Sequence, residues 1–183
     1  MDPVRVFTLA CALAWAAGCR SEPVPADVRV PEGGALPVYF TSLAPFVPER
    51  LPGWERETRP EGSTGKYGGV TVSEVEAVYT RPGEQRLSVR IVDTSLLDKL
   101  APAIRSAVEG AEGRTEEDPS APLRLPHAFG FVRYDGDERH GEATLLVGDR
   151  YVVALAAEGV PDTKELRQVA RQHLDLAGLS RLR

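Results

Sequence analysis

The stretch Val70-Thr71-Val72-Ser73-Glu74-Val75-Glu76-Ala77-Val78-Tyr79-Thr80, followed by Arg81-Pro82-Gly83-Glu84 and then Leu87-Ser88-Val89-Arg90-Ile91, decides the fold. Val75, Ala77 and Tyr79 alternate with Glu74 and Glu76, the period of two that puts apolar and charged side chains on opposite faces of a strand. Pro82 and Gly83 supply a turn. Leu87, Val89 and Ile91 then alternate with Ser88 and Arg90, so a second half-buried strand folds back on the first as a hairpin.

Downstream, the period changes. Leu96, Leu97, Leu100, Ile104, Ala107 and Val108 form one apolar stripe at helical spacing. Ser95 and Asp98 have capping-box spacing, and Pro102 predicts a kink or two short helices in succession. Residues 110–126 read as a charged, proline-containing loop. Strands follow over 128–134, 139–147 and 151–158, joined by Asp135-Gly136-Asp137 and by Gly148-Asp149, a two-residue hairpin signal. The runs Leu145-Leu146-Val147 and Val152-Val153-Ala154-Leu155 predict central strands covered on both faces. A last helix begins at Asp162, with Glu165 at the third helical position, and lays Leu166, Val169, Ala170, His173, Leu174 and Ala177 along one side. The expectation is an α+β fold: a single antiparallel sheet of about five strands, in the order β-β-α-β-β-β-α, with two helices packed on one face.

Upstream, residues 43–69 are dense in proline and glycine and read as an irregular segment whose Phe46, Leu51 and Trp54 pack on the domain. Residues 38–40 predict a short strand. Pro23, Pro25, Pro31 and Pro37 among Glu22, Asp27, Glu32, Gly33 and Gly34 read as a tether, too poor in apolar residues to form a core. Before it, an apolar run over 6–17 has the length of a signal-peptide core and is too short to span a bilayer. It ends in Trp15-Ala16-Ala17-Gly18-Cys19.

That segment resembles the signal of bacterial lipoproteins, whose lipobox closes on a small residue and then the cysteine that receives lipid. The resemblance covers residues 1–19 of 183. It implies cleavage between Gly18 and Cys19 and acylation of the Cys19 sulfur with palmitate-type chains. The membrane then becomes a partner through that anchor. Arg20 stands where enteric lipoproteins retained at the inner membrane commonly have Asp, which implies the outer membrane, facing the periplasm. The domains expected are therefore a signal peptide over 1–18, the lipidated cysteine and tether over 19–37, and one α+β domain over 38–183. The chain's two cysteines are Cys11, inside the discarded run, and Cys19, so the expected mature chain has no disulfide.

The net charge of −5 without a basic cluster argues against nucleic acid as a partner. Gly62-Ser63-Thr64-Gly65-Lys66-Tyr67-Gly68-Gly69 superficially suggests a phosphate-binding loop. However, Pro60 stands where the leading glycine belongs, Tyr67 where the metal-binding hydroxyl belongs, and a strand follows where a helix should. It reads as a flexible surface loop. Asp135-Gly136-Asp137-Glu138 lacks the glycine of a calcium loop, with His140 in its place. Glu116-Glu117-Asp118 reads as an acidic loop. His127, His140 and His173 have no second His or Cys at ligand spacing, and no serine sits in a Gly-x-Ser-x-Gly elbow. The expectation is no metal, no cofactor and no catalytic residue.

Trp54 is the candidate binding residue, because tryptophan is enriched at hot spots; the competing reading makes it a plug for one end of the core. The function expected is a membrane-anchored envelope lipoprotein, not an enzyme, with a binding or structural role and a second envelope protein as candidate partner. The alternatives are a carrier for a small apolar ligand in a helix–sheet groove near Trp54, and, behind it, an envelope hydrolase.

Overall fold

A computed structural model describes residues 36–67, 69–115 and 118–182. The elements are α1 (Phe40–Leu43), a 3-10 turn (Ala44–Phe46), β1 (Glu55–Arg56), β2 (Glu61–Tyr67), β3 (Val70–Arg81), β4 (Gln85–Thr94), α2 (Leu97–Glu109), β5 (Ser120–Leu125), β6 (Ala128–Asp135), β7 (His140–Val147), β8 (Tyr151–Glu158), α3 (Lys164–Gln172) and α4 (Leu176–Arg181). The predicted signal peptide, Gly18, Cys19 and the tether to residue 35 lie outside the described residues.

All strand pairs are antiparallel, in the order β1-β3-β4-β8-β7-β6-β5, with β2 also on β3. The β3–β4 hairpin has the expected alternation, pairing Val75 with Ile91, Ala77 with Val89 and Tyr79 with Leu87. These six side chains are buried. Gly148 and Asp149 both take positive φ in the β7–β8 turn, as a primed hairpin turn requires.

Among the described residues, the expected sheet of about five strands with two helices is corrected to eight strands with four α-helices. Three added strands account for the difference. β1 and β2 lie along the same edge of β3, β1 beside Thr80 and Tyr79 and β2 beside Val70 to Glu76. The segment read as a flexible glycine loop is thus a strand, held by its main chain rather than by an apolar side. β5, read as loop, pairs with β6 and turns Ala121 and Leu123 inward. The last helix is two: Asp175 accepts the Gly178 N–H through Oδ1 at 2.7 Å and starts α4 afresh. Pro102 does not split α2. Thr94 Oγ1, not Ser95, accepts the Leu96 N–H at 3.2 Å, while Ser95 Oγ accepts the Thr71 N–H at 3.0 Å.

The helices do not share one face. On the inner face, Leu43 of α1, Leu166, Val169 and Ala170 of α3, and Leu176 and Leu179 of α4 join the core with Tyr79, Leu87, Leu145, Tyr151 and Leu155. α2 instead packs over β5, β6 and β7 from the other side. Phe129 and Leu146 are cross-strand partners that point opposite to Ala128, Leu145 and Val147, and the Arg105 guanidinium lies 5.0 Å from the Phe129 ring centre. Ile104, Val108 and Leu146 are buried outside the main core cluster.

Residues 36–39 are a strap across the sheet's end rather than the expected strand. Asp93 Oδ2 accepts the Val38 N–H at 2.8 Å and Arg150 Nε and Nη2 at 3.2 and 3.0 Å; Arg150 Nη2 also donates to the Leu36 carbonyl at 3.0 Å. Thr64 Oγ1 accepts the Phe40 N–H at 2.9 Å and is bonded to the Ser73 hydroxyl. Gly62 makes this crossing possible, since a Cβ there would collide with the Glu74 carbonyl and the Phe40 ring.

Candidate functional site

The strand register builds a small grid on the outer face. Glu76, Arg90, Ala154 and Thr144 form one row across β3, β4, β8 and β7; Val78, Ser88, Ala156 and Glu142 form the next; Thr80, Arg86, Glu158 and His140 the third. Short side chains in the middle of the rows leave a depression of about 350 Å³, with Ser88, Thr144, Ala154 and Ala156 in its lining. Its polar groups pair within the protein. Arg90 Nη2 reaches Glu76 Oε2 at 2.9 Å, His140 Nε2 lies 3.2 Å from Glu142 Oε1, and Arg86 Nη2 is 3.8 Å from Glu57 Oε2. Such half-exposed pairs contribute little to stability, on the order of 0–1 kcal/mol each. The guanidinium groups of Arg86 and Arg90 and the carboxylates of Glu76 and Glu142 give the rim alternating charge.

Trp54 sits elsewhere, where the Leu51–Trp54 turn closes on the end of β3. It is 8% exposed and belongs to the inner core. Its indole N–H donates to Glu165 Oε1 at 2.8 Å, Arg81 Nη1 donates to Glu165 Oε2 at 2.9 Å, and the Arg81 guanidinium covers the ring at 4.3 Å. A second hollow of about 440 Å³ opens beside it, lined by Gly53, Glu55, Thr80 and Pro82 with Trp54 and Arg81. The tryptophan's donor and its π face are thus already engaged, and the geometry is that of the core plug.

The other sequence candidates are dispersed. Asp135 Oδ1 accepts the N–H groups of Asp137 and Glu138, an Asx turn at the β6–β7 connection. Asp118 Oδ2 accepts from Thr115, and Glu116 and Glu117 lie outside the described residues. His127 adopts positive φ in the β5–β6 turn, and His173 ends α3 half-buried. Among the described residues no group of three His, Cys, Asp or Glu could hold a metal ion. No helix among them is long and apolar enough to cross a membrane.

Burial shifts the pKa of two tyrosines in the core. Burial pushes the Tyr79 hydroxyl up to about 12 from 10.0, with Arg56 opposing; it donates to the Pro48 carbonyl. Burial also raises Tyr151, with Arg150 opposing and Asp93 adding; its hydroxyl donates to the Leu182 carbonyl at 2.8 Å. Both are structural ties, remote in role from acid–base chemistry at neutral pH.

No protein-family model, no curated protein and no solved structure matches this chain.

Sequence reading did not single out the outer-face grid. Its signal was present in the outward residues of the hairpin, Glu76, Ser88 and Arg90, but the contribution of Ala154 and Ala156 was hidden. The Val152–Leu155 run read as covered on both faces, whereas Val152, Ala154 and Ala156 are only half-buried.

Proposed function

We propose that this protein is a lipid-anchored protein of the bacterial envelope, attached through Cys19, whose folded body serves a non-catalytic role by binding another envelope protein. The outer membrane, facing the periplasm, is the location this reading assigns. The observation that supports it is the inequality of the two sheet faces. The inner face is sealed by α1, α3, α4 and the strap, with Tyr79, Leu87, Leu145, Tyr151 and Leu155 fully buried beneath them. The outer face, beyond α2, carries a shallow depression of small residues with a charged rim. Shallow, mixed-polarity surfaces of this kind suit protein contacts better than the enclosed apolar pockets that hold small ligands. No observation favours the ligand-carrier or hydrolase readings over this one.

The test has two arms. Mass spectrometry of the N-terminal peptide from native membranes is expected to show acylated Cys19, and Cys19→Ala is expected to move the protein to the soluble fraction. A photo-crosslinking residue at Ala156 is expected to trap a specific envelope protein that the same residue at Asp137 does not. Recovery of the native chain with its initiating methionine and a free Cys19 thiol overturns the anchor; equal trapping from both positions overturns the binding face.

A further inference from the structure

Asp93 is a carboxylate with 4% of its side chain exposed, and two of its three hydrogen bonds come from one arginine. The third comes from the main chain of the strap, at Val38, and the same arginine reaches the Leu36 carbonyl. A buried, charge-assisted arrangement has thus been directed onto two backbone groups at the very start of the described body. Charge-assisted bonds of this kind are shorter and stronger than neutral ones, and the fork of a guanidinium fixes direction as well as distance. The strap gains a second fixing at Phe40 through Thr64.

We propose that the Asp93–Arg150 pair is a clamp that fixes where residues 19–35 join the folded body and so sets how the body is oriented on its tether. The strand register defines the two ends. Asp93 pairs with Ser73 and Tyr151, and Tyr151 pairs with Val147, so the clamp, the Gly148–Arg150 turn and the Leu182 carbonyl share one end. The β3–β4 turn, the Asp135–Arg139 turn and the Trp54–Arg81–Glu165 cluster share the other. From Asp93 to Arg86 along β4 is about 24 Å at the rise of an antiparallel strand. The third row of the outer grid, Arg86, Glu158 and His140, lies at this far end. The clamp therefore points the far end, with the third row of the depression's lining, away from the attachment point. That the attachment point is a membrane rests on the lipid-anchor reading; the clamp does not.

The experiment uses the full chain with Cys11 and Cys19 replaced by serine, so it does not depend on lipid. Nitroxide pairs are placed at Glu32→Cys with Arg181→Cys, and at Glu32→Cys with Asp137→Cys, and read by pulsed electron resonance. Residue 32 lies four residues before Leu36, within about 14 Å of it. The expected result is a shorter mean distance to position 181 than to 137, by on the order of the 24 Å strand length. In Arg150→Lys, which keeps the charge but not the fork, and in Asp93→Asn, both distributions are expected to broaden and the difference in means to shrink by at least half. Arg150→Lys preserves the ion pair and covers the case in which Asp93→Asn fails to fold. Equal distances in the parent, or Arg150→Lys distributions that superimpose on the parent's, overturn the clamp. Failure of lipidation is read separately in the mass of the Cys19 peptide and leaves these distances unchanged.

Discussion

Replacing Tyr79 with phenylalanine separates two contributions of one hydroxyl by pH. The side chain is fully buried and its O–H is donated to the Pro48 carbonyl, which ties the segment after the 3-10 turn to the C-terminal end of β3. At pH 8, Tyr79→Phe leaves that carbonyl without its partner, and the expected loss is about 1–3 kcal/mol. The same burial raises the hydroxyl's pKa to about 12 from 10.0. Between those values the unfolded chain gives up the proton and the folded chain keeps it. The unfolded state then binds fewer protons, and the contribution of Tyr79 to stability falls as pH rises through this window. At pH 11 the loss is on the order of 1 kcal/mol, and it grows further toward pH 12. Phenylalanine has no proton to lose, and Tyr151 titrates alike in both proteins. The stability gap between parent and variant is therefore expected to be largest near pH 8 and to narrow by on the order of 1 kcal/mol at pH 11. Urea unfolding followed by Trp54 fluorescence at both pH values gives the gap directly. A gap that stays constant or widens at pH 11 refutes the reasoning, because the hydroxyl would then be no harder to ionise folded than unfolded.

Three further perturbations probe other parts of the structure. Trp54→Phe removes the indole bond to Glu165 and weakens the cover by Arg81; a loss of about 1–3 kcal/mol is expected, and a double-mutant cycle with Arg81→Ala should show coupling above about 0.5 kcal/mol. Ile104→Ala opens space beneath α2 on the outer face, with an expected cost of about 2–5 kcal/mol; hydrogen exchange should rise first in α2 and β5 while β3 and β4 stay protected. Gly62→Ala forces a methyl into the Glu74 carbonyl and the Phe40 ring, so thermal unfolding should register a loss of about 1–3 kcal/mol together with faster exchange of the Phe40 amide.

The parts of this fold legible in the sequence are those where side chains, not main chain, do the holding. β3, β4 and β8 bury every second residue against helices, so their period of two is written in Val75, Ala77, Leu87, Val89, Val153 and Leu155. β2 is different: Glu61-Gly62-Ser63-Thr64-Gly65-Lys66 offers no apolar alternation, because this edge strand is held by its ladder to β3 and by Thr64 acting on the strap. The two residues of β1 are below any periodic signal. The stripe of α2 was plain, but a stripe says only that one side is buried and not which face of a sheet receives it; Phe129 and Leu146, on the outer side of their strands, decide that here. Trp54 was identifiable as a large aromatic in a loop, yet its partners Arg81 and Glu165 come from 27 and 111 positions away, a separation that no local pattern encodes.

The two margins of the sheet are unlike. The β5 margin carries Pro122, which has no amide proton to offer an incoming strand, whereas the β2 margin carries glycines and keeps its donors. Open-ended fibre growth by sheet stacking side to side needs two receptive margins per molecule, one to give and one to take. With a donor missing from the β5 margin, copies crowded together join more readily back to back through β2, a symmetric union that closes on itself after two and does not propagate.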